Sequence, residues 1–140
     1  MSIEVGQVLS LKIKFNNCPG KISDTKHPCL VVAVGSSPNR IEIVQLDSLK
    51  GKEYKSAYES NKVVFHDGES VIDKDSYVQL DNKFTIENDI GLEQFRRQTD
   101  KLSNGKLSDI INAYLNYQQT HSIDSNKCVD MSFSDILSWN

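Results

Sequence analysis

The sequence predicts a small, mainly β domain, an antiparallel barrel or sandwich of short strands with helices towards its C-terminal end. Three observations support this fold class. Short runs of apolar residues, several of them alternating with polar ones, occupy the first part of the chain, turn-forming residues separate these runs, and helical spacing of apolar residues begins only near residue 90. Strands followed by helices are the order expected of such a domain.

The first strands are predicted from their periodicity. Residues 7–15 (QVLSLKIKF) alternate apolar and polar side chains, so Lys12 and Lys14 share the outward face. The segment 16–25 (NNCPGKISDT) is a loop by its Asn-Asn and Pro-Gly pairs, and its length favours a functional or mobile loop. After Pro28, the run CLVVAV is typical of a strand that is buried on both faces.

The later elements follow from the same patterns. Residues 40–46 (RIEIVQL) form another alternating strand, and the segments KVVFHDGES and VIDKDSYVQLD continue the β region around an Asp-Gly turn. Apolar residues between 107 and 115 recur at helical spacing. Residues 133–139 (FSDILSW) predict a last helical turn with one apolar face, which the chain's own core is able to bury.

Composition limits the class of protein. A chain of 140 residues with 38% hydrophobic and 25% charged residues has the composition typical of a soluble globular domain. With neither a leader-like N-terminus nor an apolar stretch of about 20 residues, we expect a cytoplasmic protein without membrane association. Cys18, Cys29 and Cys128 lack CxxC spacing, which argues against a disulfide framework and a structural zinc site, and Cys29 is predicted to lie in the core.

The charge is unevenly distributed. The chain carries a net charge of −3, yet residues 1–62 contain nine Lys and Arg against six Asp and Glu. A basic first half attracts a polyanion such as RNA if its lysines share one face. If they are scattered, they are an ordinary solvated surface.

Two segments resemble the MazF/PemK-like toxin family. Residues 76–87 (SYVQLDNKFTIE) are similar to the family's late strand and turn, and residues 101–117 (KLSNGKLSDIINAYLNY) are similar to its closing helix. The GQV opening and the HPCLVV run resemble the family's first two strands. The stretch EIVQLDSL resembles the strand that ends in a functional Thr or Ser, and it places Ser48 at that position.

This resemblance covers residues 5–117 and implies a fold, an activity and partners. The implied protein is a small SH3-like antiparallel barrel, a homodimer that cleaves single-stranded RNA without a metal or cofactor and is neutralised by an antitoxin protein. The chain then divides into a barrel domain with its closing helix, residues 1–117, and a polar C-terminal extension, residues 118–140, that ends in a short apolar helical segment.

The histidines do not predict a metal site. His66 and His121 are not spaced from His27 as the ligands of a metal ion are.

The resemblance also implies site residues. Cleavage through the 2′-hydroxyl requires proton transfer and positive charge around the phosphorane-like transition state. We expect His27, which stands where the family has Arg, to be the general acid/base, Ser48 and Lys26 to stabilise the phosphate, and Asp47 to orient His27. An imidazole transfers protons but lacks the guanidinium fork, so either His27 has a different catalytic role or catalysis is lost.

A track for the RNA backbone is predicted from the remaining cations. Phe84 replaces an Arg that the family often carries in its turn, and the adjacent lysine is a partial substitute. Tyr54 or Tyr58 is a candidate platform for base stacking. These residues form one site only if they converge on the loop at 16–25. The predicted RNA-binding residues are Lys12, Lys14, Lys21, Arg40 and Lys83.

The alternative function is a non-catalytic interaction module on the same barrel. Such a module binds nucleic acid or a protein through its loops or its FSDILSW tail. A related branch of the superfamily poisons DNA gyrase through a C-terminal tryptophan, and Trp139 occupies a similar place near the end of this chain. A helix docked on the chain's own core explains the same tryptophan.

Overall fold

The computed structural model describes residues 3–14, 22–35 and 37–140. Within these ranges the chain is mainly β with a few helices, which confirms the coarse fold class predicted from the sequence. Short 3₁₀ helices lie at Glu53–Ala57, Ile90–Phe95 and Ser125–Lys127. The strands and α-helices are β1 (Val8–Leu11), β2 (His27–Val34), β3 (Arg40–Ser48), β4 (Asn61–Val64), β5 (Ser76–Gln79), β6 (Lys83–Glu87), α1 (Asn104–Thr120), β7 (Cys128–Met131) and α2 (Phe133–Trp139).

β3 is the centre of the sheet because three strands pair with it. β2 runs antiparallel along one side, while on the other side residues 40–43 pair with β6 and residues 46–48 pair with β5. β1 pairs with β2 and β4 with β5, both antiparallel, and β7 lies parallel to β6. Across the described ranges this pairing does not return to close a barrel. The SH3-like barrel therefore stays a prediction.

The alternation of side chains along the strands separates two apolar clusters, one on each face of the sheet. Ile41 and Ile43 of β3 belong to the first cluster, and Val44 and Leu46 belong to the second. The second cluster is covered by α1, which contributes the buried Ile110 among others. Burying each such side chain contributes about 1.5–3 kcal/mol, so the sheet is stabilised from both faces.

The C-terminal segment is an integral part of the sheet and of the first cluster. β7 adds a strand next to β6, and Ser132 caps α2 by accepting a 3.0 Å hydrogen bond from the amide of Asp135. Ile136 is fully buried, and Phe133 and Trp139 pack against the same cluster. The apolar face of the FSDILSW tail is thus occupied by the chain's own core.

The last residue ties the C-terminus to β1. The side-chain amide of Asn140 accepts a 2.7 Å hydrogen bond from the amide of Lys12 and donates a 3.0 Å bond to the carbonyl of the same residue. This pairing imitates the bonding of a neighbouring strand and satisfies the partly buried N–H and C=O groups of Lys12. None of the described helices is both long enough and apolar enough to cross a membrane.

Candidate functional site

Two cavities flank the point where β2 begins and β3 ends. One has a volume of about 460 Å³ and contains the ring of Tyr77 in its wall, and we name it the Tyr77 cavity. The other has a volume of about 450 Å³ and is named the Arg97 cavity. His27, Asp47 and Lys52 line both cavities. The two volumes therefore meet at these three side chains, and each is of a size that accommodates a small ligand.

Strand register brings the predicted catalytic residues to this place. Cys29 pairs with Gln45 in the antiparallel β2–β3 ladder, and the same register continued by two residues sets His27 opposite Asp47. Neighbouring residues of an extended chain point to opposite faces, so Lys26 and Ser48 project away from the His27 side.

The four predicted catalytic residues nevertheless line one cavity, although strand alternation directs them to two sides. His27, Lys26, Asp47 and Ser48 all line the Arg97 cavity. His27 and Asp47 also reach the Tyr77 cavity, whereas Lys26 and Ser48 do not line it. The Arg97 cavity is thus lined by a histidine, a serine and a lysine from two adjacent strand ends.

The carboxylate of Asp47 is held by a neighbour on its own strand. Gln45 donates a 2.6 Å hydrogen bond from Nε2 to Oδ1 of Asp47. Among the described residues no hydrogen bond joins Asp47 to the imidazole of His27. The orienting role predicted for Asp47 thus requires a movement of one of the two side chains on substrate binding.

Lys26 is held against an aromatic ring. Its Nζ atom lies 5.6 Å from the ring centroid of Phe95, within the distance of a cation–π interaction. Lys26 also lines the Arg97 cavity, so it adds positive charge to the surroundings of that cavity.

The Tyr77 cavity is built from polar side chains around a buried ring. Lys55 donates a 3.3 Å hydrogen bond to the Tyr77 hydroxyl, and this bond raises the pKa of Lys55. Lys127 donates a 2.5 Å hydrogen bond to Asp81 that likewise raises the pKa of Lys127. Both amines therefore stay protonated at neutral pH. Lys127 precedes β7, so the C-terminal extension contributes a cation to this cavity.

The Arg97 cavity contains a guanidinium group that the sequence patterns do not single out. Arg97 follows the 3₁₀ helix Ile90–Phe95, and its amide donates a 2.9 Å hydrogen bond to the carbonyl of Val8 on β1. Its guanidinium lies 3.8 Å from Oδ2 of Asp73, and both side chains line the cavity. No local motif marks this residue, because its place is set by contacts with a strand far away in the sequence.

Positive charge is concentrated in the two cavities, although the chain as a whole is acidic. Among the described residues that line them, seven Lys and Arg side chains oppose three aspartates, in a chain whose net charge is −3. Such a focused positive potential favours anionic ligands. The seven cations are Lys14, Lys26, Lys52, Lys55, Lys74, Arg97 and Lys127.

The predicted RNA-binding residues are divided by the fold. Lys14 lines the Tyr77 cavity, whereas Lys12, Arg40 and Lys83 line neither cavity. Arg40 begins β3, eight residues from Ser48 and about 26 Å away along an extended strand, and its Nε donates a 2.9 Å hydrogen bond to Asp130. Lys21 lies outside the described residues.

Phe84 occupies the place where the resemblance leads one to expect an arginine. Its side chain is almost fully buried and forms part of the wall of the Tyr77 cavity. Lys83, the preceding residue in the strand, is exposed and lies on the opposite face. Lys83 therefore does not place its charge where the family has the arginine. In the Tyr77 cavity, positive charge comes from Lys55 and Lys127 instead.

Two exposed tyrosines lie beside the cation-lined region. Tyr54 and Tyr58 flank Lys55 in sequence, and their ring centroids are 6.2 Å apart in an edge-to-face arrangement. More than half of each residue's surface is exposed. The pair offers the aromatic faces predicted from the sequence as a stacking platform.

The thiol of Cys29, on β2 two residues after His27, is not a candidate nucleophile. Cys29 is fully buried, and burial raises its pKa far above that of an exposed thiol, so a thiolate nucleophile is excluded at this position. His66 binds Asp75 and His121 binds Glu59, and neither lines the two cavities. The described residues contain no group of three His, Cys, Asp or Glu side chains arranged to hold a metal ion.

Neither a family model nor a curated protein sequence matches the chain.

Proposed function

We propose that the protein is a metal-independent endoribonuclease of the MazF/PemK-like type that cleaves single-stranded RNA. One observation carries the proposal. The four residues expected to act in catalysis, His27, Ser48, Lys26 and Asp47, come from two strand ends and line a single cavity in a cation-rich region of an acidic chain. Cytoplasmic location, an SH3-like barrel, a homodimeric assembly and neutralisation by an antitoxin belong to the same proposal.

The proposed reaction is an internal transesterification. His27 takes the proton of the 2′-hydroxyl, whose oxygen attacks the adjacent phosphorus while the bond from phosphorus to the 5′-oxygen breaks. Ser48 donates a hydrogen bond to a nonbridging oxygen, and Lys26 and Lys52 balance the added negative charge. The departing 5′-oxygen takes a proton from water or from a neighbouring ammonium group. The products are a 2′,3′-cyclic phosphate and a 5′-hydroxyl end.

The test is cleavage of a mixed-sequence single-stranded RNA in EDTA by the purified 140-residue chain, with the cut ends mapped. We expect cyclic phosphate ends from the wild type and a loss of at least about 100-fold in rate for His27→Ala. His121→Ala is the matched control, because this histidine lies at the end of α1 and lines neither cavity. Equal cleavage by wild type and His27→Ala would exclude the role given to His27.

A second candidate is a non-catalytic RNA-binding module. It is favoured by the imidazole at position 27, which lacks a phosphate-binding fork, and by the Gln45 amide that already donates a hydrogen bond to the carboxylate of Asp47. The same preparation distinguishes the two functions. RNA that stays intact but binds in a salt-dependent manner supports the module, whereas specific cut ends support the nuclease. Binding through the FSDILSW tail is disfavoured, since its apolar face is already packed.

A further inference from the structure

Arg97 is fixed in position by its backbone. Its amide donates to the carbonyl of Val8, and the preceding residue forms a β-bridge with Leu9. The 3₁₀ helix before it ends at Phe95, whose ring packs against the first apolar cluster. The side chain therefore starts from a rigid base beside β1 and extends into the cavity that His27 and Ser48 line.

The guanidinium of Arg97 is only loosely paired. The nitrogen–oxygen distance to Asp73 is 3.8 Å, longer than a hydrogen bond, and the Asp73 side chain is 68% exposed. The Arg97 side chain is 27% exposed, so the pair is reached by solvent, and a solvent-accessible ion pair of this length is weak and screened by salt. A phosphate that enters the cavity is therefore able to displace Asp73 from the guanidinium.

The chemistry of a phosphate singles out Arg97 among the cations of this cavity. Lys26, Lys52 and Lys74 carry point charges, whereas a planar guanidinium donates two parallel hydrogen bonds to two phosphate oxygens. Arg97 supplies the one guanidinium among the described side chains that line the cavity. The guanidinium of Arg97 is therefore the group best suited to bind the phosphate oxygens while proton transfer takes place at His27.

We infer that Arg97 binds the scissile phosphate and stabilises the transition state, while His27 transfers the proton, and that Asp73 occupies the guanidinium until RNA replaces it. This assignment rests on the proposed ribonuclease function for the choice of substrate. It divides the tasks of charge stabilisation and proton transfer between two residues from separate segments. The residue at position 27 then does not have to bind the phosphate by itself.

The experiment compares Arg97→Ala, Arg97→Lys and Asp73→Asn with the wild type. Each variant is measured for cleavage of single-stranded RNA, for binding of a fully 2′-O-methylated RNA that cannot be cleaved, and for thermal unfolding. Lys101→Ala is the control, because it also removes a cation from an exposed ion pair, with Glu4, but lines neither cavity.

Arg97→Ala is expected to lower the cleavage rate about 100- to 1,000-fold, the range for loss of one donor to a transition-state oxyanion. Arg97→Lys should recover only part of this loss, because it restores the charge without the fork. Asp73→Asn should strengthen binding of the methylated RNA, which a purely structural ion pair would not do. Lys101→Ala should match the wild type.

The outcomes separate this assignment from the proposed function. If the wild type cleaves RNA and Arg97→Ala cleaves at a similar rate, the assignment to Arg97 is overturned and the nuclease stands. If the wild type does not cleave, the nuclease is overturned. Weaker binding by Arg97→Lys together with tighter binding by Asp73→Asn then still supports phosphate binding by Arg97, and unchanged binding in both refutes it. If Arg97→Ala does not fold, Arg97→Lys and Asp73→Asn still test whether Arg97 binds the phosphate.

Discussion

The hydroxyl of Tyr114 donates a 2.8 Å hydrogen bond to Oε1 of Glu42, and the bond joins α1 to β3 across the second apolar cluster. Both residues are buried, with exposed fractions of 1% for Tyr114 and 8% for Glu42. Burial, followed by the Glu42 carboxylate, raises the pKa of Tyr114, so the phenol stays neutral and remains a donor. This polar contact sets the position of the helix on the sheet.

Tyr114→Phe removes that donor while keeping the ring. Because a buried acceptor loses a hydrogen bond, we expect the free energy of unfolding to fall by about 1–3 kcal/mol. Urea denaturation of the variant and the wild type measures the difference. Tyr54→Phe is the matched control, because Tyr54 is 63% exposed, and it should change stability by less than about 0.5 kcal/mol. Equal effects of the two substitutions would contradict the role of the bond.

The docking of α2 gives a second prediction. Ile136 is fully buried in the first cluster, whereas Leu137, its neighbour on the same helix, is 46% exposed. Ile136→Ala should lower the free energy of unfolding by about 2–5 kcal/mol, and Leu137→Ala should cost far less. Chemical denaturation tests both. If Ile136→Ala leaves stability unchanged, α2 is not docked in solution, and the tail becomes available to a partner again.

Much of the strand pattern was predictable from the sequence, because side-chain alternation is a local property. The run after Pro28 and the alternation at 40–46 correspond to β2 and β3. β7 escaped prediction, since four residues reading CVDM carry too little pattern and their strand forms only beside β6. The pairing of β3 with both β5 and β6 likewise depends on tertiary contacts, which the periodicity of a single strand does not reveal.

The candidate site was predictable where its residues lie at strand ends and not where distant segments meet. His27 and Ser48 follow from the resemblance, and the structure brings them to one cavity. Arg97 reaches the same cavity only through its contact with β1, which no local pattern indicates. Arg40 shows the converse, since it is basic and close in sequence to Ser48 but lies at the opposite end of β3, bonded to Asp130.

The pair of His66 and Asp75 predicts a dependence of stability on pH. Nδ1 of His66 lies 2.8 Å from Oδ1 of Asp75, and this hydrogen bond raises the pKa of His66 and lowers the pKa of Asp75. The contribution of His66 to stability is fully present below its ordinary pKa of 6.5 and is lost as pH rises through the raised pKa. The contribution of Asp75 to stability is present above its ordinary pKa of 3.8 and is lost as pH falls through the lowered pKa.

His66→Gln should therefore reduce stability more at pH 5.5 than at pH 8.5, because the ion pair exists only at the lower of the two. Urea denaturation of wild type and variant at both pH values gives the two differences. The effect should shrink in high salt, since both side chains are nearly half exposed. A difference that does not change with pH would show that the pair makes no electrostatic contribution.

The position of Lys52 predicts how the proposed binding of RNA depends on salt. Lys52 lines both cavities, so a strand that passes from one to the other brings a phosphate close to its ammonium group. Each phosphate contact with single-stranded nucleic acid adds about 0.7 to the slope of log affinity against log salt concentration. Lys52→Ala should weaken binding of the 2′-O-methylated RNA and lower that slope by roughly this amount. Anisotropy titrations between about 50 and 200 mM salt measure it.

Lys106→Ala provides the comparison for Lys52. Its amine bonds the carbonyl of Asp67 and pairs with Glu69, away from the two cavities, so the salt slope should equal that of the wild type. A slope reduced equally by both substitutions would mean that RNA binds through the general charge of the chain. A slope reduced by neither would place the RNA elsewhere. Only a loss confined to Lys52→Ala assigns the RNA path to the junction of the two cavities, which His27 and Asp47 also line.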